Sequence, residues 1–326
     1  DDLGEGILVT DTKGEVVFSN EQLAIILNLN DLTNKKIKEL DIPALNYLFK
    51  RVENKKRADI EFEIELSDKS TKWVLGSMNQ SKTTGEYILV VHDITQLRQL
   101  NSMRRDFISN LSHELRTPVS VIRANSETLL DGALESKKDA KVFAKAILHN
   151  SERLSDMVTD LIDLSRIEYG DLKLNIKKVD LKTFIDEFTL SIESLTKKKD
   201  IEIINKSNHE EFVKADLQAL ERIMNNLVDN ALKYSEKGSS IEISTIKENQ
   251  HIKIMVSDNG IGISEEDKNH IFDRFYRTAS ARASDKQGSG LGLAIVKNLT
   301  NSLNGEVGVD SKDSNGSIFW FTLPIN

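Results

Sequence analysis

Six consecutive residues, His113 to Pro118, combine a nucleophile, a carboxylate, a hydroxyl and a proline. A neutral imidazole has a free nitrogen lone pair for nucleophilic attack, and the carboxylate of Glu114 can hydrogen-bond the other ring nitrogen and accept its proton. Thr117 follows His113 by four residues, so the two side chains lie one helical turn apart on one face. The segment therefore predicts a reactive histidine with an adjacent base and a hydroxyl.

Pro118 within the apolar stripe and the Thr117 hydroxyl one turn from His113 favour a chemical role for the histidine over an ordinary surface position. Pro118 removes one helical hydrogen bond, so we expect the helix to bend beside His113. His113 lies off the apolar positions Leu111 and Leu115 and is expected to face water. The alternative is an ordinary solvated histidine, which is our interpretation of the other five: His92, His149, His209, His251 and His270.

The segment from Asn225 to Tyr234 is predicted to be helical and carries Asn226, Asn230 and Lys233 on one side. Two carboxamide oxygens one turn apart suit a hydrated Mg²⁺ ion, and a lysine can bind phosphate as a point charge. Taken alone, asparagines on a helix are usually only solvated.

Two glycine-containing segments follow. Asp258 to Gly262 comes after a predicted strand, where a carboxylate can accept a hydrogen bond from the exocyclic amino group of adenine; a plain Asp-Asn-Gly turn is the alternative. Gly288 to Leu293 opens a predicted helix, whose N-terminal glycine amides can bind phosphate. This second segment is neither a Rossmann fingerprint nor a P-loop, because a polar loop precedes it and no Gly-Lys-Ser/Thr follows.

The histidine segment belongs to the first of two predicted long amphipathic helices. Apolar residues recur at steps of three and four from Leu97 to Leu129, and the pattern stops at Asp131-Gly132. A second helix is predicted to begin near Lys138 and to end at Tyr169-Gly170-Asp171. Two such helices form a hairpin with an uncovered apolar seam, so we expect a homodimer that completes a four-helix bundle.

Mixed strands and helices are predicted on either side of this hairpin. Before it, an α+β unit ends near Thr95, with predicted strands at 6–10, 15–20, 60–66, 72–78 and 86–91 and predicted helices at 21–27 and 42–52. After it, we predict helices at 181–195, 217–234 and 291–303, strands at 241–246, 252–256 and 317–323, and a mobile loop from Arg277 to Ser289.

Composition excludes several classes of function. The 326 residues carry a formal net charge of −8, which argues against a nucleic-acid binder. The chain has no cysteine, which excludes disulfides and thiolate metal sites. No apolar run approaches the roughly 18 residues needed to span a bilayer, and no signal peptide is visible. Because the chain begins without Met, we interpret it as a fragment whose membrane segment lies elsewhere.

In their order, these motifs resemble those of the sensor histidine kinases of two-component systems. Segment 107–122 resembles the H box of that family, 226–234 its N box, 258–262 its G1 box, 271–277 its F box and 288–293 its G2 box. The N-terminal unit resembles a PAS domain. The resemblance implies a PAS sensor domain over 1–95, a signalling helix with a dimerisation and histidine-phosphotransfer hairpin over 96–170, and a catalytic ATP-binding domain over 171–326.

The resemblance also implies a role for each motif residue. His113 would be the phosphoacceptor, Glu114 its general base, and Thr117 the residue that orients water when the kinase acts as a phosphatase. Asp258 would recognise adenine, with Tyr234 and Ile263 near the base. Asn226 and Asn230 would hold Mg²⁺, with Gln287 a further candidate for the metal. The remaining ATP-binding residues would be Lys233, Gly260, Gly262, Arg277, Gly288, Gly290, Leu291, Gly292 and Leu293.

The implied architecture is multidomain: an α+β PAS domain, a two-helix hairpin in a dimeric four-helix bundle, and an α/β sandwich of the gyrase, chaperone and histidine-kinase type. The implied function is an ATP- and Mg²⁺-dependent kinase that autophosphorylates His113, passes the phosphoryl group to an aspartate of a response regulator, and also dephosphorylates that regulator. The implied partners are a second copy of the chain and the receiver domain of a cognate response regulator, with no nucleic acid. The membrane would be reached only through a segment outside this sequence, so we expect the cytoplasmic portion of a membrane-anchored bacterial kinase.

Three alternatives remain open at this point. One is a scaffold that binds ATP and relays a conformational signal, and another is a kinase homologue dominated by phosphatase activity. The third is an ATPase of the gyrase or chaperone sort. That ATPase would carry a general-base glutamate where this chain has Asn226, and it would lack the histidine hairpin.

Overall fold

The computed structural model of the chain describes residues 4–29, 32, 35–66, 70–168, 171–207, 212–283, 288–312 and 316–325. The chain divides into two compact units, residues 1–108 and 109–326. The predicted domain boundaries at 95/96 and 170/171 stay predictions. Within the described residues, no helix is both long and apolar enough to cross a bilayer.

The first unit is a five-stranded antiparallel sheet with two helices packed on it. Its elements are β1 (Gly6–Thr10), β2 (Val16–Ser19), α1 (Glu21–Leu27), α2 (Pro43–Lys55), β3 (Arg57–Glu65), β4 (Thr71–Gln80) and β5 (Tyr87–Asp93), and the strand order is β2-β1-β5-β4-β3. Alternation along the strands buries Leu8, Val74 and Met78 in one core with the helices. All strands and helices predicted for this unit are confirmed, with shifts of a few residues at their ends.

The hairpin consists of α3 (Thr95–Leu130) and α4 (Lys137–Glu168). Both predicted helices are therefore confirmed; the last two residues of the second one, Tyr169 and Gly170, lie outside the described residues. α3 continues through Pro118, which is buried, and the bend predicted at this proline stays a prediction. His113 is exposed, as expected from its place off the apolar stripe.

The rest of the second unit is an α/β sandwich. Its elements are β6 (Lys177–Asp180), α5 (Leu181–Lys199), β7 (Glu202–Lys206), β8 (Phe212–Ala215), α6 (Leu217–Tyr234), β9 (Ser240–Glu248), β10 (His251–Ser257), α7 (Glu265–Lys268), α8 (Ala279–Ala283), α9 (Gly292–Ser302), β11 (Val307–Ser311) and β12 (Ser317–Pro324). The main sheet has the order β11-β12-β10-β9-β7, and β6 pairs with β8. Ile243, Ile254 and Phe321 are buried on three neighbouring strands of this sheet, against which α6 and α9 pack.

Local sequence signals set the limits of the site-bearing helix α6. The Asp216 side chain accepts a hydrogen bond from the Ala219 amide at 2.9 Å and caps the N-terminus. Buried residues recur through the helix at helical spacing, including Leu220, Ile223 and Leu227. The helix occupies the predicted range, Leu217–Tyr234.

The structure differs from the sequence prediction in short elements of the second unit. Strands β6, β7, β8 and β11 and helix α7 were not predicted. The stretch from Arg277 to Ser289, predicted as a loop without regular structure, contains α8, because the Thr278 hydroxyl accepts a hydrogen bond from the Ala281 amide at 3.1 Å and Ala281 is buried. Residues 284–287 of that stretch lie outside the described residues.

Candidate active site

A cavity of about 710 Å³ opens in the second unit. Helices α4 and α6 form two of its walls. The other lining residues come from the segment after β10, from residues 271 and 276–281, from the glycine segment that leads into α9, and from β12. Its volume lies in the range of about 300–1,000 Å³ that is usual for small-molecule sites.

Most of the residues predicted to bind ATP line this cavity: Asn226, Asn230, Lys233, Tyr234, Asp258, Gly262, Ile263, Arg277, Gly288, Gly290, Gly292 and Leu293. Gly260 and Leu291 do not line the cavity themselves but lie next to residues that do. The Gly260 amide donates to Asp258, and Leu291 is fully buried just before α9. Gln287 lies outside the described residues. The histidine segment does not line the cavity.

Asp258 supplies a buried carboxylate to the cavity wall. It is 4 % exposed, and its Oδ1 accepts hydrogen bonds from the Gly260 amide at 2.7 Å and the Ser317 amide at 3.3 Å. Burial raises the pKa of this carboxyl above its ordinary value, while the two amide donors oppose that rise. Because both bonds end on Oδ1, Oδ2 is left to accept a hydrogen bond from a ligand, such as an exocyclic amino group.

Lys233 and Arg277 give one part of the cavity a positive charge. A Cβ atom on Gly288 would lie 2.7 Å from Lys233 Nζ, so the ammonium group rests directly on the glycine segment. Burial lowers the pKa of Lys233, and the positive charge of Arg277 lowers it further. The Arg277 guanidinium donates to the Ala281 carbonyl at 2.6 Å, which fixes its position. An anion beside these two cations would be stabilised by both.

The glycine segment presents the start of α9 to the same region. No side chain caps the N-terminus of α9, so its first amides are available to an anion. The Gly290 carbonyl accepts a hydrogen bond from the Phe275 amide at 2.9 Å, which ties the glycine segment to residues 271–277. Phosphate groups fit this arrangement of backbone amides and cations.

A hydrogen bond within α6 holds the carboxamide of Asn226 in one orientation. Its Nδ2 donates to the Arg222 carbonyl at 2.8 Å, so its Oδ1 is the polar atom left toward the cavity. A Cβ atom on Gly292 would lie 2.6 Å from this Oδ1, and only glycine leaves the space. Among the described residues, no group of three or more His, Asp or Glu side chains could hold a metal ion. The carboxamide oxygens of Asn226 and Asn230, two residues that line the cavity, are of the ligand type that a hydrated Mg²⁺ ion accepts.

Sequence reasoning missed the wall that α4 contributes. His149, which we had interpreted as an ordinary surface residue, lines the cavity together with Glu152, Arg153, Asp156, Met157, Thr159 and Asp160. Their helical periodicity predicts a helix face but not what covers it. Asp229 of α6 also lines the cavity, and burial raises the pKa of its carboxyl.

Asp160 connects α4 with α6 and the glycine segment. Its Oδ1 accepts from Arg222 Nη2 at 2.5 Å, and its Oδ2 accepts from the Ser289 hydroxyl at 3.3 Å. Arg222 Nη2 also lies 3.4 Å from Asp163 Oδ2. Burial raises the pKa of Asp160, and the charge of Arg222 opposes that rise. These contacts hold the sandwich against the hairpin in this conformation.

The three residues of the histidine segment have different surroundings. His113 is exposed, and the Thr117 hydroxyl donates to the His113 carbonyl at 3.3 Å, which keeps Thr117 one turn away on the same face as predicted. Glu114 is half-buried and accepts a hydrogen bond from Arg153 Nη2 of α4 at 3.1 Å. The partner of Glu114 in this structure is thus an arginine rather than the imidazole.

Two protein families match the chain, one over the hairpin and one over most of the sandwich. The family described as the His Kinase A (phospho-acceptor) domain matches residues 103–170. The family described as histidine kinase-, DNA gyrase B-, and HSP90-like ATPase matches residues 215–326. A lone ATPase of the gyrase or chaperone sort is excluded, because the phospho-acceptor family covers the hairpin.

Several bacterial proteins are similar over almost the whole chain. Sensor-like histidine kinase SenX3 of Mycobacterium tuberculosis (strain H37Rv) is 33 % identical over 326 residues, which are 98 % of this chain and 77 % of SenX3. Sensor histidine kinase WalK of Bacillus subtilis is 31 % identical over 332 residues, again 98 % of this chain but only 53 % of WalK. The chain thus spans about half the length of WalK.

The solved structures agree with these relatives. Histidine kinase AdeS of Acinetobacter baumannii matches with a TM-score of 0.55 and 28 % identity, over 66 % of this chain and 98 % of that structure. Together with the phospho-acceptor hairpin and the ATPase sandwich, the similarity to SenX3 shows that this chain belongs to the sensor histidine kinases.

Proposed function

We propose that the chain is an ATP-dependent protein-histidine kinase that phosphorylates its own His113 and passes the phosphoryl group to an aspartate of a response regulator. The observation that carries this proposal is the combination, within one compact unit, of an exposed histidine on a phospho-acceptor hairpin and an ATPase cavity lined by Asp258, Lys233 and Asn226. An ATP-binding scaffold would need the cavity but not the exposed histidine with its base and hydroxyl.

The cavity is proposed to bind ATP with adenine at Asp258 and the phosphates at the other end. Oδ2 of Asp258 accepts from the adenine amino group, and Tyr234 and Ile263 contact the base. Lys233, Arg277 and the backbone of the glycine segment 288–293 bind the phosphates. Bound Mg²⁺ neutralises phosphate charge, and Asn226 and Asn230 are the residues proposed to hold it.

The proposed reaction begins with attack by one ring nitrogen of His113 on the γ-phosphorus of ATP. A nitrogen–phosphorus bond forms, the bond from phosphorus to the bridging oxygen breaks, and ADP leaves with the electron pair. The proton on the other ring nitrogen passes to Glu114. An aspartate carboxylate of the regulator then attacks the same phosphorus, the nitrogen–phosphorus bond breaks, and the imidazole regains its proton.

The geometry restricts how ATP reaches the histidine. Because His113 does not line the cavity of its own chain in this conformation, transfer requires either a movement of the sandwich or the cavity of a second copy. The Asp160–Arg222 and Asp160–Ser289 contacts must break in the first case.

A homodimer is proposed from the apolar surface of the hairpin. Val119, Leu148 and Ile162 are 51 %, 58 % and 48 % exposed in the single chain. Complete burial of an exposed apolar side chain contributes about 1.5–3 kcal/mol, and since about half of each of these side chains is already buried, a second hairpin would contribute roughly half of that for each one. A four-helix bundle is the arrangement that two hairpins form.

The N-terminal unit is proposed to be a PAS-type sensor domain. Its five-stranded antiparallel sheet with α1 and α2 packed on it is the α+β arrangement expected from the sequence resemblance.

The receiver domain of a cognate response regulator is the proposed protein partner. The location in the cytoplasmic portion of a membrane-anchored bacterial kinase stays a prediction from sequence.

Labelled ATP tests the proposal directly. The purified protein, incubated with [γ-³²P]ATP and Mg²⁺, should acquire label that is lost in acid and stable in alkali, because a phosphoramidate hydrolyses in acid and a phosphoester does not. Peptide mapping should place the label on the segment that contains His113. ATP binding without any such label would support a scaffold instead.

Thr117→Ala should separate the two activities proposed for the hairpin. The hydroxyl takes no part in the attack on ATP, so we expect autophosphorylation within about twofold of the wild type. Dephosphorylation of the phosphorylated regulator should fall at least ~10-fold, less than the roughly 10²–10⁴-fold of a group that itself transfers a proton, because the hydroxyl only orients water. Release of phosphate from the labelled regulator measures this. Thr128→Ala on the same helix, whose hydroxyl makes the same type of bond to the carbonyl four residues earlier, is the control. Unchanged phosphatase activity in Thr117→Ala would contradict the role.

A further inference from the structure

The ion pair between Glu114 on α3 and Arg153 on α4 gives the proposed base a fixed partner. We propose that Arg153 is a positioning residue for phosphoryl transfer, which orients the Glu114 carboxylate toward the His113 imidazole. The inference rests on the proposed function. Its basis is that Arg153 Nη2 lies 3.1 Å from Glu114 Oε2, although the two residues are 39 positions apart in sequence.

The pair is partly buried, unlike an ordinary surface ion pair. The Arg153 and Glu114 side chains are 17 % and 30 % exposed, whereas those of Arg123 and Glu127, an ion pair on α3, are 79 % and 57 % exposed. An exposed pair contributes little to structure because water and salt screen it, and a partly buried pair keeps both side chains in one geometry. Arg153 therefore restricts where the Glu114 carboxylate can point.

The geometry leaves one carboxylate oxygen for catalysis. Arg153 occupies Oε2 of Glu114, and no hydrogen bond to Oε1 is present among the described residues. A carboxylate can accept through both oxygens, so Oε1 remains for the ring N–H of the neighbouring His113. The order nucleophile, base and orienting group is the arrangement by which enzymes activate a nucleophile.

Arg153 also lines the ATP cavity, and this offers a competing role. Its positive charge is one of the causes that lower the pKa of Lys233, after burial and Arg277. A guanidinium this close to the phosphate site would change ATP affinity if it acted on the nucleotide. A guanidinium that acts through Glu114 changes the rate of transfer instead.

A double-mutant cycle separates the two roles. We expect Arg153→Gln to lower kcat for autophosphorylation about 10–100-fold, less than the roughly 10²–10⁴-fold that a positioned base itself contributes, because the substitution misorients the base without removing it. KM for ATP should change less than about twofold. In the Glu114→Gln background the same substitution should have no further effect, because there is no base left to orient. Arg153→Lys should restore part of kcat, since it keeps the charge but not the planar fork.

The controls use the exposed pair and a second assay. Arg123→Gln removes an equivalent arginine from an ion pair of the hairpin and should leave kcat at the wild-type value. Thermal unfolding and the affinity for a fluorescent ATP analogue report whether Arg153→Gln is folded. Should Arg153→Gln fail to fold, Arg153→Lys takes its place in the cycle. Arg153→Lys must then lower kcat in the wild-type background and leave kcat unchanged in the Glu114→Gln background.

Two results would overturn the inference. One is a rise in KM for ATP with unchanged kcat, which would place Arg153 on the nucleotide. The other is an equal loss of kcat in the wild-type and Glu114→Gln backgrounds, which would make its action independent of Glu114. Failure of the proposed function looks different, because the wild-type protein would then carry no acid-labile label at all.

Discussion

His113→Ala will carry no acid-labile phosphate after incubation with ATP and Mg²⁺. A methyl group has no lone pair with which to attack phosphorus, so we expect labelling to fall to background, whereas loss of an auxiliary group such as Glu114 leaves a residual rate. The substituted side chain is exposed and does not line the cavity, so the ATP site and the hairpin packing should be preserved. Label per protein and affinity for an ATP analogue, measured on the same preparation, test both halves of this expectation.

His251→Ala is the matched control for this experiment. His251 is the first residue of β10 in the sandwich and does not line the cavity. Wild-type labelling of His251→Ala, with background labelling and normal ATP affinity in His113→Ala, assigns the phosphoryl group to His113. Equal labelling of His113→Ala and the wild type would refute that assignment. A parallel loss of ATP affinity in His113→Ala would attribute the missing label to damage of the fold.

The elements that carry the site could be predicted from the sequence where all the residues that specify an element lie close together in the chain. Helix α6 combines a capping aspartate, Asp216, with an apolar face at regular spacing, and its predicted and observed limits agree. The glycine segment before α9 and the Asp258 turn after β10 were recognisable from residue types and order. Each of these features depends on neighbours within about one or two helical turns.

Features that depend on distant parts of the chain were not predictable in this way. Asp160 meets Arg222 across 62 residues, and Glu114 meets Arg153 across 39, so no local period reveals either contact. Strand β6 has the sequence Lys-Lys-Val-Asp, too polar and short to suggest a strand until β8 pairs with it. The wall that α4 adds to the cavity follows from packing of the sandwich on the hairpin, which exists only in three dimensions.

Asp258→Asn should weaken ATP binding and shift the preference between ATP and GTP. The two backbone amides of Gly260 and Ser317 donate to Oδ1 of Asp258, so an asparagine will turn its own Oδ1 toward them and present Nδ2 to the cavity. A donor then faces the adenine amino group, which is also a donor. Loss of a hydrogen bond to a charged group costs about 1.5–3 kcal/mol, which is roughly 10–100-fold in affinity.

Guanine should respond in the opposite direction, because its carbonyl oxygen at the corresponding position accepts what Nδ2 donates. We therefore expect the affinity for GTP to rise while the affinity for ATP falls. The ratio of the two dissociation constants should then change by a larger factor than the ATP dissociation constant alone. Isothermal titration with non-hydrolysable ATP and GTP analogues measures the four constants. Asp310→Asn, an exposed carboxylate on β11 of the same sheet, controls for the change in charge and should bind like the wild type. Unchanged affinities and an unchanged ratio in Asp258→Asn would show that the adenine amino group binds elsewhere, since this substitution alters one atom of a side chain that the fold already holds in place.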